Sequence, residues 1–466
     1  MRVAIRVDAS AAIGTGHVKR CLSLADALVS AGAAVRFVCR ELGIDYGAML
    51  GETGMALTLL DAPSGQWTPS KQEPPHAAWA GVDWTDDADH TIAACRDWLP
   101  DWIVVDHYAF DSRWHDRVRA ETSARILVID DTGDRLLSAD ILVDHNPDTD
   151  HRAKYKRSLE TIGRLLAGPR FALLGPRYSE MTPIEIRPEV RSIGMFMGGV
   201  DAGNHSALAL AACREAGFAG PVEIVTTSAN PNLAELERIV AADGGAEILR
   251  DLPDLIAFLT SHDLQIGAGG GATWERCRAG VPAIVLATAQ NQEVVVDALR
   301  QDEAAVTPQS SGKAALAKEI ALLVADYDRR RHIAANAGHL VDGRGCERVA
   351  LSMAASELHV RPASESDAAT VHCWRNAPAT RAVSVDPAEI AWESHVEWFK
   401  RSLASPDNRR ILIGTIGKRD VGVVRFDMQD DDQWEVSIFL DPDLTGLGLG
   451  PPLLLAAEAA HHAALP

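Results

Sequence analysis

Short apolar runs alternate with longer stretches of helical periodicity over the first 180 residues of the chain. The runs are rich in Ile and Val and end in polar residues: RVAIRVDA (2–9), AVRFVCR (34–40), DWIVVDHY (101–108), ARILVIDD (124–131) and ADILVDHN (139–146). Nearly continuous apolar strands indicate a parallel sheet covered on both faces, in which ligands bind at the carboxyl ends of the strands. The polar residues predicted to gather there are Asp8, Asp106, His107, Tyr108, Asp130, Asp131 and Asn146.

A second series of the same kind follows the segment LAGPRFALLGPRY (166–178), which carries two Gly-Pro breaks and is predicted to be a connection. Its apolar runs are SIGMFMGG (192–199), PVEIVTTSA (221–229), AEILRDL (246–252), DLQIGAGGG (263–271) and VPAIVLAT (281–288). The pattern predicts an α/β protein with two Rossmann-like domains, residues 1–180 and 181–357, that face each other across a cleft. A different kind of segment begins at residue 358 and makes up a third domain, 358–466.

Composition narrows the classes of function. The 466 residues suggest two to four domains, and 47% hydrophobic with 24% charged residues is typical of a soluble globular protein. A formal net charge of −20 argues against nonspecific nucleic-acid binding and against binding to anionic membranes. It does not argue against an anionic small molecule, because backbone amides at helix ends bind phosphate locally.

The seven cysteines are scattered and form no CxxC pair, which fits a reducing cytosol and offers no metal framework. The sequence shows neither a signal peptide at its start nor an apolar stretch long enough to cross a membrane. These features predict a cytoplasmic protein without a bound metal.

The first chemical motif is IGTGHVKR (13–20), between the first predicted strand and the first predicted helix. Gly14 and Gly16 permit a tight turn and close approach of a ligand to the backbone, and Arg20 is a further candidate for contact with substrate. His17 falls in the first helical turn, where the positive helix end disfavours the imidazolium, and a neutral imidazole is what a general base requires. For this motif taken alone, a flexible loop with a solvated histidine is the favoured interpretation.

The second motif, GAGGGATWERCRAGVPAIVLATAQNQ (267–292), places glycines after a strand and leads into a helix through Thr273. This geometry offers free N–H groups to a diphosphate, and Glu275, one turn into the helix, is placed to accept hydrogen bonds from a ribose. The motif lacks the signatures of a P-loop and of a dinucleotide fingerprint. A tight turn followed by a solvated glutamate is the competing interpretation. The candidate binding residues here are Gly269, Gly270, Gly271, Thr273, Glu275, Asn291 and Gln292.

Two shorter motifs follow predicted strands. MGGVDAGN (197–204) puts Gly199 before a helix, with Asp201 and Asn204 as helix caps, and simple capping is the expected role unless the loop faces residues 267–273. DHY (106–108) ends a strand, where Tyr108 either faces the ligand or packs at the sheet edge.

Taken together, RVDAS, IGTGHVKR, VVDHY, MGGVD and GATWERCRAGVPAIVL with QNQ resemble the nucleotide-sugar hydrolases of pseudaminic acid biosynthesis over about residues 1–340. That family is similar in fold to the GT-B glycosyltransferases of the MurG kind. The resemblance implies cleavage of the anomeric C–O bond of UDP-2,4-diacetamido-2,4,6-trideoxy-β-L-altropyranose by water, with inversion and without metal. The free sugar then enters pseudaminic acid synthesis, so other enzymes of that pathway are implied partners.

The resemblance also assigns roles. The catalytic histidine of the family matches His17 and its active-site tyrosine matches Tyr108, while the loop Gly269 to Thr273, Glu275 and Asn291 match residues that hold UDP. From spacing alone, Asp8 is predicted to orient His17. A glycosyltransferase that moves the sugar to an acceptor, and a nucleotide-sugar binding protein without turnover, remain the competing hypotheses.

Residues 358–466 resemble the GCN5-related N-acetyltransferases that acetylate amino sugars. The resemblance rests on RPASESDAATVHCWRNAP (361–378), HVEWF (395–399), ILIGTI with VGVVRF, and WEVSIFLDPDLTGLGLGPPLLLAAEAA. It implies that the loop with Gly446, Gly448 and Gly450 binds the pyrophosphate of acetyl-CoA. Thr445 stands where the family has Arg or Gln, and only 16 residues follow Gly450. An incomplete α+β domain with weak or no activity is therefore expected, and a bifunctional chain is the competing interpretation.

Overall fold

The computed structural model describes residues 1–65, 67–310, 312–429 and 433–465, without the side chains of Glu52 and Asn291. The chain divides into two compact units. The larger comprises residues 2–27 and 34–346, and the smaller comprises residues 347–466 with residue 1 and residues 28–33. The three predicted domains differ from this division, since the two predicted Rossmann-like domains fall within one compact unit except for residues 1, 28–33 and 347–357.

The first sheet of the larger unit has seven parallel strands within the described residues, in the order β3-β2-β1-β4-β5-β6-β7. The strands are β1 (Arg2–Val7), β2 (Ala34–Arg40), β3 (Ala56–Leu60), β4 (Trp102–Asp106), β5 (Arg125–Ile129), β6 (Ala139–Asp144) and β7 (Ile162–Ala167). Every residue of β4 is buried, as the continuous apolar run predicts for a strand covered on both faces. The sequence pattern missed β3, an edge strand with partly exposed leucines, and β7, whose last residues fall in the predicted connection 166–178.

The second sheet has five parallel strands in the described part of the chain, in the order β10-β9-β8-β11-β12. All five lie within predicted runs: β8 (Ile193–Phe196), β9 (Val222–Thr226), β10 (Ala246–Arg250), β11 (Leu264–Ala268) and β12 (Ala283–Leu286). The helices of the larger unit join and cover these strands. They are α1 (Gly16–Ser30), α2 (Tyr46–Leu50), α3 (Trp84–Cys95), α4 (Ser112–Thr122), α5 (His151–Lys154), α6 (Pro176–Glu180), α7 (His205–Glu215), α8 (Leu233–Asp243), α9 (Ile256–Ser261), α10 (Ala272–Ala279), α11 (Glu293–Gln301), α12 (Lys313–Ala325) and α13 (Tyr327–Leu340).

Each sheet reverses its strand order at one point. In the first sheet β1 pairs in parallel with both β2 and β4, so the chain leaves β1 toward one edge and returns to the other side of it. In the second sheet β8 pairs in the same way with β9 and β11. The carboxyl ends of β1 and β4, and of β8 and β11, therefore form the two crevices where ligands bind in such folds. We call them the first and the second switch point.

The smaller unit contains a four-stranded antiparallel sheet in its described residues, in the order β13-β14-β15-β16. Its elements are α14 (Gly345–Met353, which begins two residues before this unit), β13 (His359–Pro362), α15 (Ala368–Asn376), α16 (Pro378–Ala382), α17 (Trp392–Leu403), β14 (Arg409–Ile416), β15 (Arg419–Met428), β16 (Trp434–Leu440) and α18 (Gly450–Ala463). Leu453 of α18 occupies the space where side chains at Gly414 and Gly422 would lie, which explains glycine inside two strands. The α+β pattern predicted for this segment is observed; its kinship to acetyltransferases stays a prediction.

Seven cysteines carry free thiols, and Cys373 alone among them is exposed. Within the described residues, no helix has the length and apolar character that a membrane span requires.

Candidate active site

His17 lies in the first turn of α1, directly after the loop that leaves β1. Gly14 has a φ of 78°, which a residue with a side chain rarely adopts, and its N–H donates to the Ser10 carbonyl over 2.8 Å. This tight turn brings the imidazole to the first switch point, beside the carboxyl end of β4. The predicted loop motif is thus an ordered turn, and the side chain of His17 is only 11% exposed.

Asp106, the last residue of β4, holds the imidazole. Its Oδ1 lies 2.6 Å from His17 Nδ1. Because a carboxylate only accepts hydrogen bonds, Nδ1 carries the proton, and the lone pair of the neutral ring resides on Nε2. Among the described residues, Nε2 has no hydrogen-bond partner. This is the arrangement in which a positioned imidazole removes a proton from a second molecule.

Arg20 keeps Asp106 ionised. It donates from Nε and Nη2 to the two oxygens of that carboxylate, both over 2.6 Å. Burial alone would raise the pKa of Asp106, but the charge of Arg20, together with the hydrogen bonds from Arg20 and His17, outweighs burial and holds the pKa well below its usual range. Arg20 therefore binds the carboxylate behind the histidine, and its predicted contact with substrate stays a prediction.

Tyr108 forms one wall beside the histidine. Its ring meets that of His17 edge to face with centroids 4.8 Å apart, and its hydroxyl donates to Asp131, which also accepts from Asn146 Nδ2 over 2.9 Å. Burial and the Asp131 carboxylate raise the pKa of Tyr108 well above its ordinary value despite the opposing charge of Arg20. Tyr108 therefore stays a neutral hydroxyl that donates a hydrogen bond.

Two aromatic residues that the sequence pattern did not single out complete this wall. Trp79 stacks on Tyr108 with centroids 5.7 Å apart, and its ring centroid lies 6.1 Å from that of His17. His76 contacts both Trp79 and Tyr108. The segment belongs to a 3₁₀ turn, Ala77–Ala80, without hydrophobic periodicity, so the sequence carried no signal for it. The rings of Tyr108 and Trp79 therefore lie beside the imidazole of His17.

The prediction that Asp8 orients His17 is wrong. Asp8 is fully buried and accepts from Arg6 over 2.5 and 2.8 Å and from the backbone N–H of Arg40 over 2.7 Å. Arg6 also donates to Asp87 over 2.6 Å. Burial would raise the pKa of Asp8, but Arg6 and then His107 hold that pKa well below its usual value. Asp8 therefore belongs to a buried ionic network beneath the site, and Asp106, 89 residues from His17 in sequence, orients the histidine.

His145 is a further buried residue of the first switch point that the sequence analysis missed. It follows β6, is 6% exposed, and its Nδ1 has no hydrogen-bond partner among the described residues. Burial, followed by the charge of Arg20, lowers the pKa of His145 to about 4. It therefore remains uncharged near neutral pH.

The second switch point is built from backbone. Gly269 approaches Gln292 and Val296 closely, since a Cβ at Gly269 would lie 3.0 Å from Val296 Cγ2 and 3.3 Å from Gln292 Cβ. Beside Gly271 a Cβ would meet open space. Within the described residues, the N–H groups of Gly270, Gly271 and Ala272 donate no hydrogen bond. Three unused amides at the start of α10 can bind an anion such as a diphosphate.

Glu275 lies on α10 at the predicted place and is half-buried. Its Oε1 accepts a hydrogen bond of 2.6 Å from the hydroxyl of Tyr178, in the segment between the two sheets. Burial raises the pKa of Glu275, while the Tyr178 hydroxyl and the charges of Arg276 and Lys19 offset part of that rise. Lys19 belongs to α1, so the first turn of that helix lies within electrostatic reach of Glu275.

The other predicted residues of this half are Thr273, Gln292, Gly199 and Asn291. Thr273 is buried and its hydroxyl donates to the Ala268 carbonyl over 3.3 Å, so it holds the loop in shape. Gln292 folds back to accept from the Thr288 N–H over 2.9 Å. Gly199 accepts from the Thr227 hydroxyl over 2.7 Å and contacts β9. The side chain of Asn291 lies outside the described part of the structure.

The predicted capping of α7 is observed for Asp201, whose two oxygens accept from the N–H groups of His205 and Ser206 over 2.8 and 2.9 Å. Asn204 makes no side-chain cap on that helix. The N–H groups at the start of α7 are thus bound by a carboxylate, whereas those before α10 donate no hydrogen bond within the described residues.

The loop of the smaller unit, residues 445–450, precedes α18. Gly446 and Gly448 have φ values of 80° and 72°, so glycine is needed at both positions. In the described residues, the N–H groups of Gly446, Gly448 and Gly450 donate no hydrogen bond. The described residues contain no group of three or more His, Cys, Asp or Glu that could hold a metal ion.

No protein-family model matches this chain, and no curated protein matches it in sequence. In structure it is similar to MurG from Acinetobacter baumannii, with a TM-score of 0.52 and 14% identity over 75% of this chain and 98% of that one. It is also similar to UGT89C1 from Arabidopsis thaliana complexed with UDP (TM-score 0.55, 16% identity, 76% and 99% coverage). A UDP-glucosyltransferase from Polygonum tinctorium matches with a TM-score of 0.54 and 13% identity over 75% and 97%. The likeness confirms the predicted pair of Rossmann-like domains, the GT-B fold.

Proposed function

We propose that the chain hydrolyses a UDP-linked sugar at its anomeric C–O bond and releases UDP and the free sugar. The observation that carries the proposal is the imidazole of His17, oriented through Nδ1 by Asp106, with Nε2 unbonded among the described residues. The structural neighbours include a UDP complex, which supports a uridine nucleotide as the anionic part of the substrate.

The reaction needs a base and a leaving group. Nε2 of His17 takes a proton from water while the water oxygen forms a bond to the anomeric carbon. The bond from that carbon to the diphosphate oxygen breaks, and UDP leaves with the electron pair. Attack opposite the leaving group inverts the anomeric configuration, and the proton on Nε2 passes to solvent, which returns the base to its starting state.

The two switch points have different roles in the proposed reaction. Asp106 fixes the tautomer of His17 and stabilises the imidazolium that forms, as a carboxylate does in hydrolytic triads. The free amides of residues 270–272 stabilise the charge that develops on the diphosphate. Tyr108, a neutral donor, and Trp79 offer a polar and an apolar surface beside the anomeric centre, suited to a sugar that carries methyl and acetamido groups.

For the substrate we propose the diacetamido-trideoxy sugar of pseudaminic acid synthesis, on the strength of the motifs around His17, Tyr108 and Glu275. The test is NMR of the reaction of UDP-2,4-diacetamido-2,4,6-trideoxy-β-L-altropyranose with the full chain in water. We expect UDP and a free sugar of inverted anomeric configuration. A retained configuration would contradict the direct attack of water.

A GT-B glycosyltransferase is the second candidate, because one structural neighbour is a UDP-glucosyltransferase and the same base would deprotonate an acceptor hydroxyl. UDP release without any acceptor favours hydrolysis, and release only after addition of an acceptor favours transfer. Tight UDP binding without turnover under both conditions would indicate a nucleotide-sugar binding protein.

For the smaller unit we propose weak acetyl-CoA binding at residues 445–450 with little acetyl transfer. The unused amides of Gly446, Gly448 and Gly450 support the binding. Thr445 lacks the positive charge or amide found there in acetyltransferases, and the prolines at 451 and 452 remove two donors. Calorimetry with acetyl-CoA measures the binding, and thiol release in the presence of the 4-amino UDP-sugar measures transfer. Rapid thiol release would establish a bifunctional enzyme instead.

A further inference from the structure

Arg276 is buried beneath the second switch point. It lies on α10, one turn after the glycine loop, and is 2% exposed. Its Nη2 donates to the Ala268 carbonyl over 2.5 Å and to Thr273 Oγ1 over 3.1 Å. Its Nε has no hydrogen-bond partner among the described residues. Burying a guanidinium with so few hydrogen-bond acceptors costs folding free energy, because its charge is neither hydrated nor paired.

The other deeply buried arginines of the larger unit donate to more acceptors, although Nε of Arg40 and of Arg330 also lacks a partner among the described residues. Arg6 and Arg40 both donate to the Asp87 carboxylate over 2.6 Å, and Arg330 donates to four backbone carbonyls. No carboxylate forms an ion pair with Arg276 within the described residues. Burial lowers the pKa of Arg276 to about 10, which still leaves the guanidinium charged at neutral pH.

The guanidinium lies at the carboxyl ends of β8 and β11. A Cβ at Gly267 would overlap its Nη1 and would lie 2.7 Å from the Phe196 carbonyl, and Gly267 and Phe196 are register partners in these two strands. Glycine at position 267 thus makes room for the positive charge. The carbonyl of Ala268, the last residue before the loop, points at this charge, and the loop beyond it carries the three unused N–H groups of residues 270–272.

We propose that Arg276 is a positioning residue for a diphosphate group: its unpaired charge attracts the anion, and its hydrogen bonds fix the loop whose amides contact the phosphates. It acts from below the loop and does not touch the ligand. The proposal deepens the proposed function and rests on it for the identity of the nucleotide, but the chemistry it names is the diphosphate alone.

The experiment compares binding of UDP, uridine and inorganic pyrophosphate to the full chain by calorimetry. Arg276→Met is expected to raise the Kd for UDP and pyrophosphate about tenfold to a hundredfold, the size expected when a positive charge close to the phosphates is removed. The Kd for uridine stays unchanged, and Arg276→Lys, which keeps the charge, restores most of the affinity. The matched control is Arg330→Met, which removes a buried arginine of the same half whose contacts are four carbonyls; it lowers the melting temperature and leaves UDP affinity unchanged.

Equal UDP affinity in wild type and Arg276→Met overturns the proposal, and so does equal weakening of UDP and uridine, which would assign Arg276 a purely structural role. Failure of Arg276→Lys to restore pyrophosphate binding overturns the part assigned to charge. If the wild type binds pyrophosphate in an Arg276-dependent way but turns over no UDP-sugar, the proposed function fails and the assignment of Arg276 stands. If it binds neither UDP nor pyrophosphate, both fail.

Discussion

The two switch points of the larger unit occupy equivalent places in their sheets. The first consists mainly of ionisable side chains, and the second mainly of backbone amides. At the first, side chains that ionise converge on one imidazole: Asp106 and Arg20 lie within 2.6 Å of each other, and Asp106 lies 2.6 Å from His17. At the second, three backbone amides and the glycines that expose them lie above a single guanidinium. Under the proposed function, the first crevice moves a proton and the second binds the diphosphate.

The difference teaches how one fold separates chemistry from binding. Proton transfer depends on the pKa and tautomer of a single group, which charged neighbours set. Backbone amides and a charged arginine do not titrate near neutral pH, so they suit the diphosphate of a nucleotide sugar, whose phosphates both stay ionised there. Substitutions in the first half should change turnover, and substitutions in the second half should change affinity.

The largest expected effect is that of His17→Ala, which removes the proposed base. Turnover falls about 10²–10⁴-fold, the usual contribution of a positioned general base, while the Kd for UDP stays close to that of the wild type. Steady-state kinetics and calorimetry on the same preparation measure both. The matched control is His332→Ala, an exposed histidine far along the chain, which changes neither quantity. Equal losses of turnover and UDP affinity would assign His17 to binding.

Next in size is Asp106→Asn, set against Asp8→Asn. The first substitution removes the carboxylate that fixes the tautomer of His17, so kcat falls about 10²–10⁴-fold and the pH dependence of kcat changes. The second leaves Arg6 incompletely paired in the interior, which costs about 3–5 kcal/mol of stability but leaves the pH profile of the folded protein unchanged. Kinetics against pH and denaturant unfolding separate the two variants. A changed pH profile in Asp8→Asn alone would restore Asp8 as the orienting group.

In the second half, Glu275→Gln is expected to raise KM about tenfold with kcat unchanged, because a neutral amide accepts hydrogen bonds from a ribose less well than a carboxylate. Tyr178→Phe removes the hydroxyl bound to Glu275 and serves as the companion variant, with a smaller rise in KM. A fall in kcat with unchanged KM in Glu275→Gln would show that the second half takes part in the chemical step.

The smallest effect concerns pH and stability. Because His145 has a pKa of about 4 in the folded protein, it stays neutral between about pH 6.5 and 4, where the unfolded chain takes up a proton. The free energy of unfolding therefore decreases as the pH falls through this window, by about 3 kcal/mol from this residue, and the contribution is complete below about pH 4. His145→Asn should reduce the change in the free energy of unfolding with pH. Denaturant unfolding measured across this pH range and up to neutrality tests this. An unchanged slope would show that His145 is protonated in the folded state.

Much of the fold followed from the sequence, because strands buried on both faces leave continuous apolar runs. Ten of the twelve strands in the larger unit's described residues lie in predicted runs. β3 escaped because it is an edge strand with Leu57 and Leu59 partly exposed, and β7 because its end runs into the Gly-Pro segment. His17, Tyr108 and Glu275 were singled out from the sequence because they follow strands or begin helices, where ligands bind in such folds, and their roles stay predictions.

The contacts between individual side chains were harder to predict from the sequence than the strands. Asp8 precedes the His17 loop, and this closeness in sequence favoured the prediction that Asp8 orients His17. In the structure, the carboxylate of Asp8 instead accepts a hydrogen bond from Arg6, two residues away. Asp106 was recognised as a strand end but not as the partner of His17, since only the adjacency of β1 and β4 brings them together. Trp79 belongs to an irregular segment, where no periodic pattern reports a contact with a residue 62 positions earlier.

The buried network of Arg6, Asp8, Arg40 and Asp87 limits which substitutions this protein tolerates at these positions. Two cations and two anions cancel within a space closed to water, since all four side chains are at most 1% exposed. Loss of any one member leaves an odd charge in the interior, so a viable lineage replaces them in pairs or retains them all. In an alignment of related sequences, these four positions should change together or not at all. Within the described residues, no hydrogen bond or ion pair joins any of the four to His17.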